Sequence, residues 1–511
     1  MTKQNKSRLL EFCCIAVLSF LLLLFFSTST SPLYSSFGYD SIEYKLAGSA
    51  MLDGLVIYRD IFHQKGAAYF FIEAIGELLC RIVGSERWGT FLLQYVNAIL
   101  VIFIAKKTAD LFFDKTEKNR KLYAWSIVMS SVFFWMTFFN GGNLVEEFSM
   151  LYEFVTVYIA VRYCVYADRQ KENSCTFKPI YGFILGICFA VTFWSKPTTA
   201  VFIGASILVI GIHMLANKKS SLFWKCIAFG VFGIAVVTVP LLLYYYFNNA
   251  LSDMINQCFL FNMNYIESEN SDATSILILL KDIAFVYAFP ILMLLLAFIL
   301  HFNLLSTLCL VTSVATMAMF LLTSTQYMCY HQVQVPIVFV FLLAFSTLNI
   351  SKRRVKSFAL TGLVVFTMIF SVGMYMRTYL MTDQNHYWQQ VTEKVDNFKI
   401  GTEDIFAKDT SNNDILYVEE NDYKISRYFY YHMKKYPFSA NFCVPFFERC
   451  NTSEYLDEFY YDFENAPPKY IVMANDRESL NAAFDEVIKK AEGEYKVVYT
   501  DDVYSLYELK N

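Results

Sequence analysis

The feature that most constrains this chain is a series of long apolar runs. A helix needs roughly 20 apolar residues to cross the hydrocarbon core of a bilayer. The sequence contains about 11 such runs before residue 377, and we expect each to be a transmembrane helix. They lie near residues 9–27, 88–105, 122–139, 149–167, 180–194, 199–216, 222–243, 276–300, 303–325, 332–349 and 358–376. The chain is therefore expected to be an α-helical polytopic membrane protein.

Two apolar runs need separate interpretation. The first, 9–27, follows a basic N-terminus and is not followed by a clear small-residue cleavage site, so we interpret it as a retained anchor. The run at 67–83 carries Glu73, Glu77 and Arg81. These charges favour an interfacial or re-entrant helix over a membrane span.

The loops between the spans predict the orientation. Cytoplasmic loops are enriched in Lys and Arg. The best fit places the N-terminus in the cytoplasm, with the chain in the plasma membrane. The predicted inner loops contain Lys106, Lys107, Lys115, Lys118, Arg120, Lys121, Arg169, Lys171, Lys178, Lys218, Lys219, Lys225, Lys352, Arg353, Arg354 and Lys356. Loop 28–87 and the tail 377–511 then face the outside, while outer loops 140–148, 244–275 and 326–331 contain no Lys or Arg.

Charge separates the chain into two predicted domains. Charged residues make up 17 % of the sequence, against about a quarter in soluble proteins. Residues 377–511 hold 25 of the 46 acidic residues and 15 of the 42 basic ones. We therefore expect a transmembrane domain over 1–376 and a small extracytoplasmic soluble α/β domain over 377–511. The net charge of −4 argues against nucleic acid as a partner.

The tail has a recognisable pattern of strands and helix. Four apolar segments rich in Tyr, Val and Ile are predicted strands: 414–420, 469–475, 495–500 and 503–510. Residues 477–492 have helical spacing of apolar residues, with Gly493 at the predicted C-terminal end. Asp501 and Asp502 are predicted to turn the last hairpin.

The cysteines and the known motifs indicate little about metals or cofactors. Cys443 and Cys450 lie in the outer domain, and the sequence leaves open whether they form a disulfide or are two free thiols. There is no CxxC or HExxH pattern. No cofactor is indicated, and the sequence leaves open whether a divalent metal assists.

Ionisable residues gather on the predicted outer side of the membrane. Such residues are functional candidates because burying charge there is costly. Asp40 and Glu43 follow the first span, and Arg59, Asp60 and Lys65 follow in the same loop. A carboxylate beside the bilayer surface could take the proton of an acceptor hydroxyl. The structural alternative for Asp40 and Glu43 is a helix N-cap with a capping box, while Asp60 and Glu43 are expected to orient neighbouring groups.

Three further outer turns carry candidate residues. Glu146 and Glu147 follow the turn Asn140-Gly141-Gly142-Asn143, where the alternative role is to cap the next helix. Lys196 is a lone cation in a second turn, where the alternative is a snorkelling side chain. His331 lies in a third, Tyr-rich turn that is also typical of an aromatic belt.

These clusters, in this order, resemble the GT-C superfamily of polytopic glycosyltransferases. The closest patterns are those of the aminoarabinose transferase, protein O-mannosyltransferase and Rgt-type families. The matching elements are Asp40 after the first span, Gly54-Leu55-Val56-Ile57-Tyr58-Arg59-Asp60, Lys65-Gly66-Ala67 and Gly141-Gly142-Asn143-Leu144-Val145-Glu146. The resemblance runs from the first span to about residue 345 and more loosely into the tail. The chain departs from the family pattern where Ser41 follows Asp40 and where Ala67 and Ala68 replace prolines.

The resemblance implies a glycosyltransferase (hexosyl- or pentosyltransferase) that works on the outer face with a polyprenyl-phosphate-linked sugar donor. The acceptor would be a cell-envelope glycan, lipid or protein, and membrane lipids would surround the enzyme. Asp40 would be the general base of an inverting displacement. Glu146 or Glu147 would orient the acceptor or that base. The lipid phosphate would be held by Arg59, Lys65, Lys196 and His331.

Other functions remain open at this stage. A secondary transporter would show broken helices in two related halves and polar sites near the midplane. A polytopic anchor would explain the tail but not the clustered carboxylates. A polysaccharide ligase or polymerase of similar fold would share the site and differ in its acceptor.

Overall fold

The computed structural model is mostly helical and has two compact units. It describes residues 3–35, 37–113, 119–139, 141–168, 177–270, 295, 303–323, 334–346, 361–362, 364–369, 371–373, 384–408, 413–419 and 424–510. The first unit contains the described residues of Met1–Ser27, Phe91–Leu242 and Asp272–Thr382. The second contains those of Thr28–Thr90, Leu243–Ser271 and Asp383–Asn511.

The first unit is built from long apolar helices. In chain order they are α1 (Lys3–Phe26), α4 (Trp88–Phe112, from Phe91), α5 (Arg120–Thr137), α6 (Val145–Asp168), α7 (Ile180–Ser195), α8 (Ala200–Ala216), α9 (Ser220–Phe247, to Leu242), α12 (Leu304–Thr323) and α13 (Gln334–Ser346). A short 3-10 turn, Pro197–Thr199, joins α7 to α8. Helix α6 packs against α7, α8 and α13, so its inward face is enclosed by neighbouring helices.

Among the described residues, five helices are long and apolar enough to cross a membrane. They are Asn5–Phe26, Trp88–Phe112, Val145–Ala167, Pro197–Ala216 and Ser220–Phe247. Shorter apolar helices include Ile180–Ser195, Leu304–Met319 and Val335–Ser346. The predicted run 122–139 is helical as α5 but is in neither group. The predicted total of about 11 stays a prediction, because 276–300 and most of 358–376 lie outside the described residues.

Small residues let two of these helices pack closely. A Cβ on Gly182 of α7 would lie 2.2 Å from the Cys226 carbonyl oxygen of α9. One turn further, a Cβ on Gly186 would lie 2.1 Å from the Gly230 carbonyl oxygen. Such small-residue contacts are the usual way in which helices associate inside a membrane, where no hydrophobic effect drives them together.

The second unit combines two loop regions with the tail. Its helices are α2 (Tyr39–Leu52), α3 (Ala67–Val83), α10 (Leu251–Ile255), α11 (Phe261–Asn270), α14 (Gln384–Phe406), α15 (Lys424–Met433), α16 (Val444–Arg449), α17 (Ser453–Asn465) and α18 (Asp485–Glu494), with a π-helical turn at Asn256–Leu260. Helix α2 packs on α3 and on α15. The rings of Phe62, Phe261 and Phe447 meet with centroids 4.7–6.1 Å apart and join all three segments of the unit.

Helix α3 is the apolar run that the sequence assigns to an interface. It is 17 residues long and is not among the candidate membrane spans. Its charged residues Glu73 and Glu77 are buried inside the second unit. Glu77 accepts a hydrogen bond from the buried ammonium of Lys45 at 2.5 Å and another from the Tyr431 hydroxyl at 2.9 Å.

The tail forms a four-stranded sheet of order β1-β2-β4-β3. The strands are β1 (Ile415–Tyr417), β2 (Tyr470–Ala474), β3 (Tyr495–Thr500) and β4 (Tyr504–Leu509). Strand β1 is parallel to β2, with Ile415 opposite Tyr470, and the other pairs are antiparallel. All four predicted strands are present, and Asp501 turns the last hairpin by accepting the amides of Val503 and Tyr504 at 2.7 Å.

The structure corrects the predicted helix of the tail. It also decides between the two alternatives for the cysteines. The predicted helix 477–492 is wrong in its first half, where two 3-10 turns, Arg477–Ser479 and Ala482–Phe484, precede α18. Gly493 lies inside α18 and does not end it. Cys443 and Cys450 are both buried and free, so the second of the two predicted alternatives holds.

The tail is grouped with other parts of the chain and does not form a unit by itself. The predicted boundary at residue 376 lies close to Asp383, where the last segment of the second unit begins. That unit, however, also contains residues 28–90 and 243–271. The physical reason is direct contact, since Tyr436 of the tail donates its hydroxyl to Asp53 and lies beside the Ser49 hydroxyl.

Candidate active site

Helix α2 begins where the sequence places the first candidate carboxylate. Gly38 is the N-cap residue with φ 70°, a left-handed conformation that favours glycine. Asp40 lies in the first turn, where the helix dipole favours a negative charge. Among the described residues, no side chain caps this helix, so the capping-box alternative for Asp40 and Glu43 is wrong. Asp40 is already inside the helix and cannot take the N-cap position.

Asp40 and Glu43 lie in different surroundings on this helix. Asp40 is partly exposed, and its hydrogen-bond partner is the Tyr44 hydroxyl, at a long 3.4 Å. Glu43 lies 3.5 Å from the Arg427 guanidinium. Burial raises the pKa of Glu43, the nearby Asp40 charge adds to that effect, and the Arg427 and Lys65 cations oppose it. Glu43 thus shares its environment with two cations, and Asp40 lies beside it.

Arg427 is a site residue that the sequence analysis missed. It comes from α15 in the tail, and its side chain is 5 % exposed. It pairs with the buried carboxylate of Glu419 and donates to the Cys443 sulfur at 2.9 Å. No local motif marks Arg427, because its partner in the predicted site, Glu43, comes from a distant segment of the chain.

The loop between α2 and α3 is fixed by Asp60. The Asp60 carboxylate accepts the Val56 amide at 2.7 Å and two guanidinium donors of Arg59 at 2.7 Å each. Tyr58 adopts φ 79° and donates its hydroxyl to the Lys65 carbonyl at 2.7 Å. The charge of Arg59 is therefore balanced by Asp60, and Asp60 holds the loop that carries Lys65.

His63 lies in the same loop and was also missed. It is 6 % exposed, and its ring stacks on Tyr44 with centroids 5.8 Å apart. Its Nδ1 accepts the Lys65 amide at 3.2 Å, and its backbone amide donates to Gln257 at 3.0 Å. Within the described part of the chain, Nε2 has no hydrogen-bond partner. Burial, with Lys65 and Arg427 nearby, lowers the pKa of His63 to about 3, so the ring is neutral.

The structure therefore brings together one set of predicted residues in the second unit. Asp40 and Glu43 of α2 lie in the same cluster as Lys65, His63 and Arg427. Such a cluster contains a carboxylate able to accept a proton and cations able to attract an anion.

The remaining predicted acids lie in the first unit, in the turn before α6. Gly141, Gly142 and Asn143 all have positive φ, which explains the glycine pair. Glu147 accepts the Asn143 amide at 2.8 Å and the Gln94 side-chain amide at 2.8 Å. Glu147 lies in the first turn of α6, where the helix dipole favours a negative charge, and its carboxylate fixes the preceding turn.

Glu146 has a different partner. It forms a buried ion pair with Lys196, with the two atoms 2.5 Å apart. Lys196 lies between α7 and the 3-10 turn, so this pair joins two turns of the first unit. His331 lies outside the described residues. In the described ranges, no three His, Cys, Asp or Glu side chains are grouped as a metal site.

A comparison with solved structures shows the fold class. The crystal structure of ArnT from Cupriavidus metallidurans, bound to undecaprenyl phosphate, matches with a TM-score of 0.58 at 12 % identity. The match covers 98 % of this chain and 98 % of ArnT. The chain thus has a GT-C-like fold, and its long apolar helices fit a multi-pass membrane protein.

Sequence comparison then gives the family. The family model described as "Putative competence-induced protein Ccs4 N-terminal domain" matches residues 2–382, and the chain belongs to this family. No curated protein sequence matches the chain.

Two other solved structures are similar at lower scores. Archaeal oligosaccharyltransferase AglB from Archaeoglobus fulgidus, in complex with an inhibitory peptide and a dolichol-phosphate, has a TM-score of 0.49 at 11 % identity over 98 % of this chain and 74 % of AglB. Arabinofuranosyltransferase AftD from Mycobacteria has a TM-score of 0.46 at 11 % identity over 98 % of this chain and 40 % of AftD. These two scores are too low to assign a fold.

Proposed function

We propose that this chain is a glycosyltransferase that moves a sugar from a polyprenyl-phosphate-linked donor to a cell-envelope acceptor. The proposal is supported by the GT-C fold together with the Asp40 carboxylate, which accepts a long hydrogen bond from Tyr44. ArnT, which matches over nearly its whole length, was solved with undecaprenyl phosphate. A lipid of that kind keeps its phosphate at the membrane surface, so a donor of this class suits a chain with several apolar helices.

Asp40 is the best candidate for the general base. A general base needs a free lone pair and access to substrate. Asp40 is partly exposed and has one long hydrogen bond, to Tyr44. By contrast, the carboxylates of Glu43, Asp60, Glu146 and Glu147 each lie beside a cation or accept N–H donors. Those four acids are better suited to hold other groups in place.

Lys65 is the best candidate for binding the donor phosphate. Its loop is held by Tyr58 and Asp60, and its charge is close enough to lower the pKa of both Glu43 and His63. Arg59 and Lys196 are each paired with a carboxylate, so either would have to exchange that partner for a phosphate. Lys65 lies near Glu43 and His63, in the cluster that also contains Asp40.

The proposed reaction is a single displacement at the anomeric carbon. Asp40 takes the proton of the acceptor hydroxyl while the acceptor oxygen forms its bond to the anomeric carbon. The bond from that carbon to the phosphate oxygen breaks, and polyprenyl phosphate leaves with the electron pair. Lys65 stabilises the charge that grows on the phosphate, and the sugar is expected to invert.

The fold also bears on the alternatives. A secondary transporter is disfavoured, because the GT-C fold holds over the full length of the chain. A polysaccharide ligase or polymerase differs from this proposal only in its acceptor. The identity of the glycosylated product decides between these two.

The first test is the Asp40→Asn variant in cells that lack the native gene. The envelope fraction is analysed by mass spectrometry for a glycan, lipid or protein that loses one sugar mass without the gene. Wild-type protein should restore the product, and Asp40→Asn should restore at most about one hundredth of it, the usual effect of losing a general base.

The matched control is Asp457→Asn, the same change at an exposed acid in α17. It should restore the product fully at equal protein level in the membrane. Full activity in Asp40→Asn would remove Asp40 as the base. An envelope that is identical with and without the gene would contradict glycosyl transfer itself, and the mass that changes identifies the sugar and the acceptor together.

A further inference from the structure

Helix α6 carries a buried stripe of polar residues in a candidate membrane span. Glu146, Ser149, Glu153 and Thr156 follow one another at spacings of three, four and three residues, which places them on one face of the helix. Their exposed fractions are 4 %, 2 %, 0 % and 0 %. Helix α6 packs against α7, α8 and α13, so this face is enclosed by protein.

Glu153 is unlike the other members of the stripe. Both of its carboxyl oxygens lack a hydrogen-bond partner among the described residues. Glu146 pairs with Lys196, and Thr156 donates to the Tyr152 carbonyl at 2.9 Å. A buried carboxylate with no cation and no donor is very costly in an apolar medium, whereas the neutral acid is tolerated. Glu153 therefore needs a ligand that removes its charge.

The candidate ligands are a metal cation and a proton. Hard metal cations take six or more oxygen ligands or retain several waters. Along the stripe, the oxygens without a described partner are the two of Glu153 and the hydroxyl of Ser149. Nowhere in the described ranges do three acidic, His or Cys side chains gather as a metal site. A proton needs a single oxygen, so it fits this site and a metal does not.

We propose that Glu153 is a proton-binding site inside the membrane, reached by water along the polar stripe from the Glu146–Lys196 end of α6. Glu146 and Glu153 are seven residues apart, which is about 10 Å along a helix axis. Ser149 lies between them, and its buried hydroxyl has no hydrogen-bond partner among the described residues. In binding, the carboxylate takes a proton from hydronium, whose O–H bond breaks to leave water, and becomes a neutral acid; in the reverse step the acid returns the proton to water as hydronium. No other bond changes, and the inference does not depend on the proposed glycosyl transfer.

The protonation state is tested by infrared difference spectroscopy on the purified full-length protein in lipid. The spectrum of wild type minus Glu153→Gln should contain the carbonyl band of a protonated carboxylic acid. Glu153→Leu, which adds no amide, is a second reference and should give the same band. A difference that contains only carboxylate bands would overturn the proposal.

Glu147→Gln is the matched control for that spectrum. Glu147 is equally buried on the same helix, but it accepts two N–H donors. Wild type minus Glu147→Gln should therefore show carboxylate bands and no protonated acid. A protonated band in this control as well would mean that burial alone accounts for the signal, and the special role of Glu153 would be lost.

The route is tested by transfer into deuterated buffer. The Glu153 acid band should shift as its proton is replaced by deuterium. Ser149→Val, which removes the intermediate hydroxyl without leaving a cavity, should slow that shift by at least about tenfold, because water loses its polar partner. Thr156→Val, on the far side of Glu153, should leave the rate unchanged. An equal rate in Ser149→Val would exclude the proposed path.

Discussion

At the scale of single residues, the candidate acids of the two units differ in what each one contacts. Among the described residues, the hydrogen bond to Asp40 is a long one from Tyr44, while Glu43, Asp60 and Glu147 are held by donors or cations. The sequence could predict that Asp40, Glu43 and Asp60 belong to one loop region, because their order along the chain is visible. It could not predict Arg427 as a partner of Glu43, since the two meet only after the tail folds.

His63 gives a prediction about pH. Burial lowers the pKa of His63 to about 3 in the folded chain, whereas an unfolded chain would bind the proton near pH 6.5. As pH falls below 6.5, the unfolded state gains a proton and the folded state does not. The free energy of unfolding should therefore fall by about 2 kcal/mol between pH 7 and pH 5 through this residue.

The measurement compares thermal unfolding of the purified full-length protein at pH 7 and pH 5. His63→Gln should lose less stability on acidification than the wild type. His386→Gln is the control, because His386 is exposed and should make no such difference. Equal acid sensitivity of wild type and His63→Gln would contradict the lowered pKa.

At the scale of elements, the sequence predicted helices and strands well where the pattern is long and simple. The four tail strands and the apolar helices were found because their periodicity or length is distinctive. The predicted helix 477–492 failed for a local reason. Asp476 and Asn481 accept the amides of Glu478 and Ala483 with their side chains, which stabilises 3-10 turns instead of a continuous helix.

The turn before α6 gives a prediction at this scale. Gly142 has φ 75°, and a Cβ there would lie 2.5 Å from Phe139 and 2.6 Å from the Ser27 hydroxyl. Gly142→Ala should therefore destabilise the protein through both backbone strain and overpacking, by about 2–4 kcal/mol in total. The measurement is the shift of the thermal midpoint of the full-length protein.

The variant Gly84→Ala separates backbone strain from overpacking. Gly84 ends α3 with φ 71°, and a Cβ added to it would have no atom of the described residues within 4 Å. This variant should show the strain alone, about 1–2 kcal/mol. If Gly142→Ala lowers stability no more than Gly84→Ala does, then the turn has room to relax. Its close packing with Ser27 would in that case not contribute to stability.

At the scale of the whole molecule, the sequence predicted the fold class and left the composition of the two units open. The resemblance to GT-C enzymes rested on Asp40, Lys65 and the glycine turn in their order, and the fold is confirmed. The division at residue 376 rested on charge, on the end of the last apolar run and on the strand pattern of the tail. Charge cannot show that Tyr436 of the tail packs with Ser49 and Asp53, because such contacts depend on shape and not on composition.

The last prediction concerns the side of the membrane on which the tail lies. The predicted inner loops hold most of the basic residues, and outer loops 140–148, 244–275 and 326–331 hold none. This bias places residue 511 outside the cytoplasm. Alkaline phosphatase fused after Asn511 should be active, and a fluorescent protein fused there should be dark, because the first folds only outside and the second only in the cytoplasm. The same reporters inserted after Glu172, in a predicted inner loop, should give the opposite pair of results. Fluorescence from the fusion after Asn511 would reverse the orientation, and Asp40 would then face the cytoplasm, where an outer-face acceptor could not reach it.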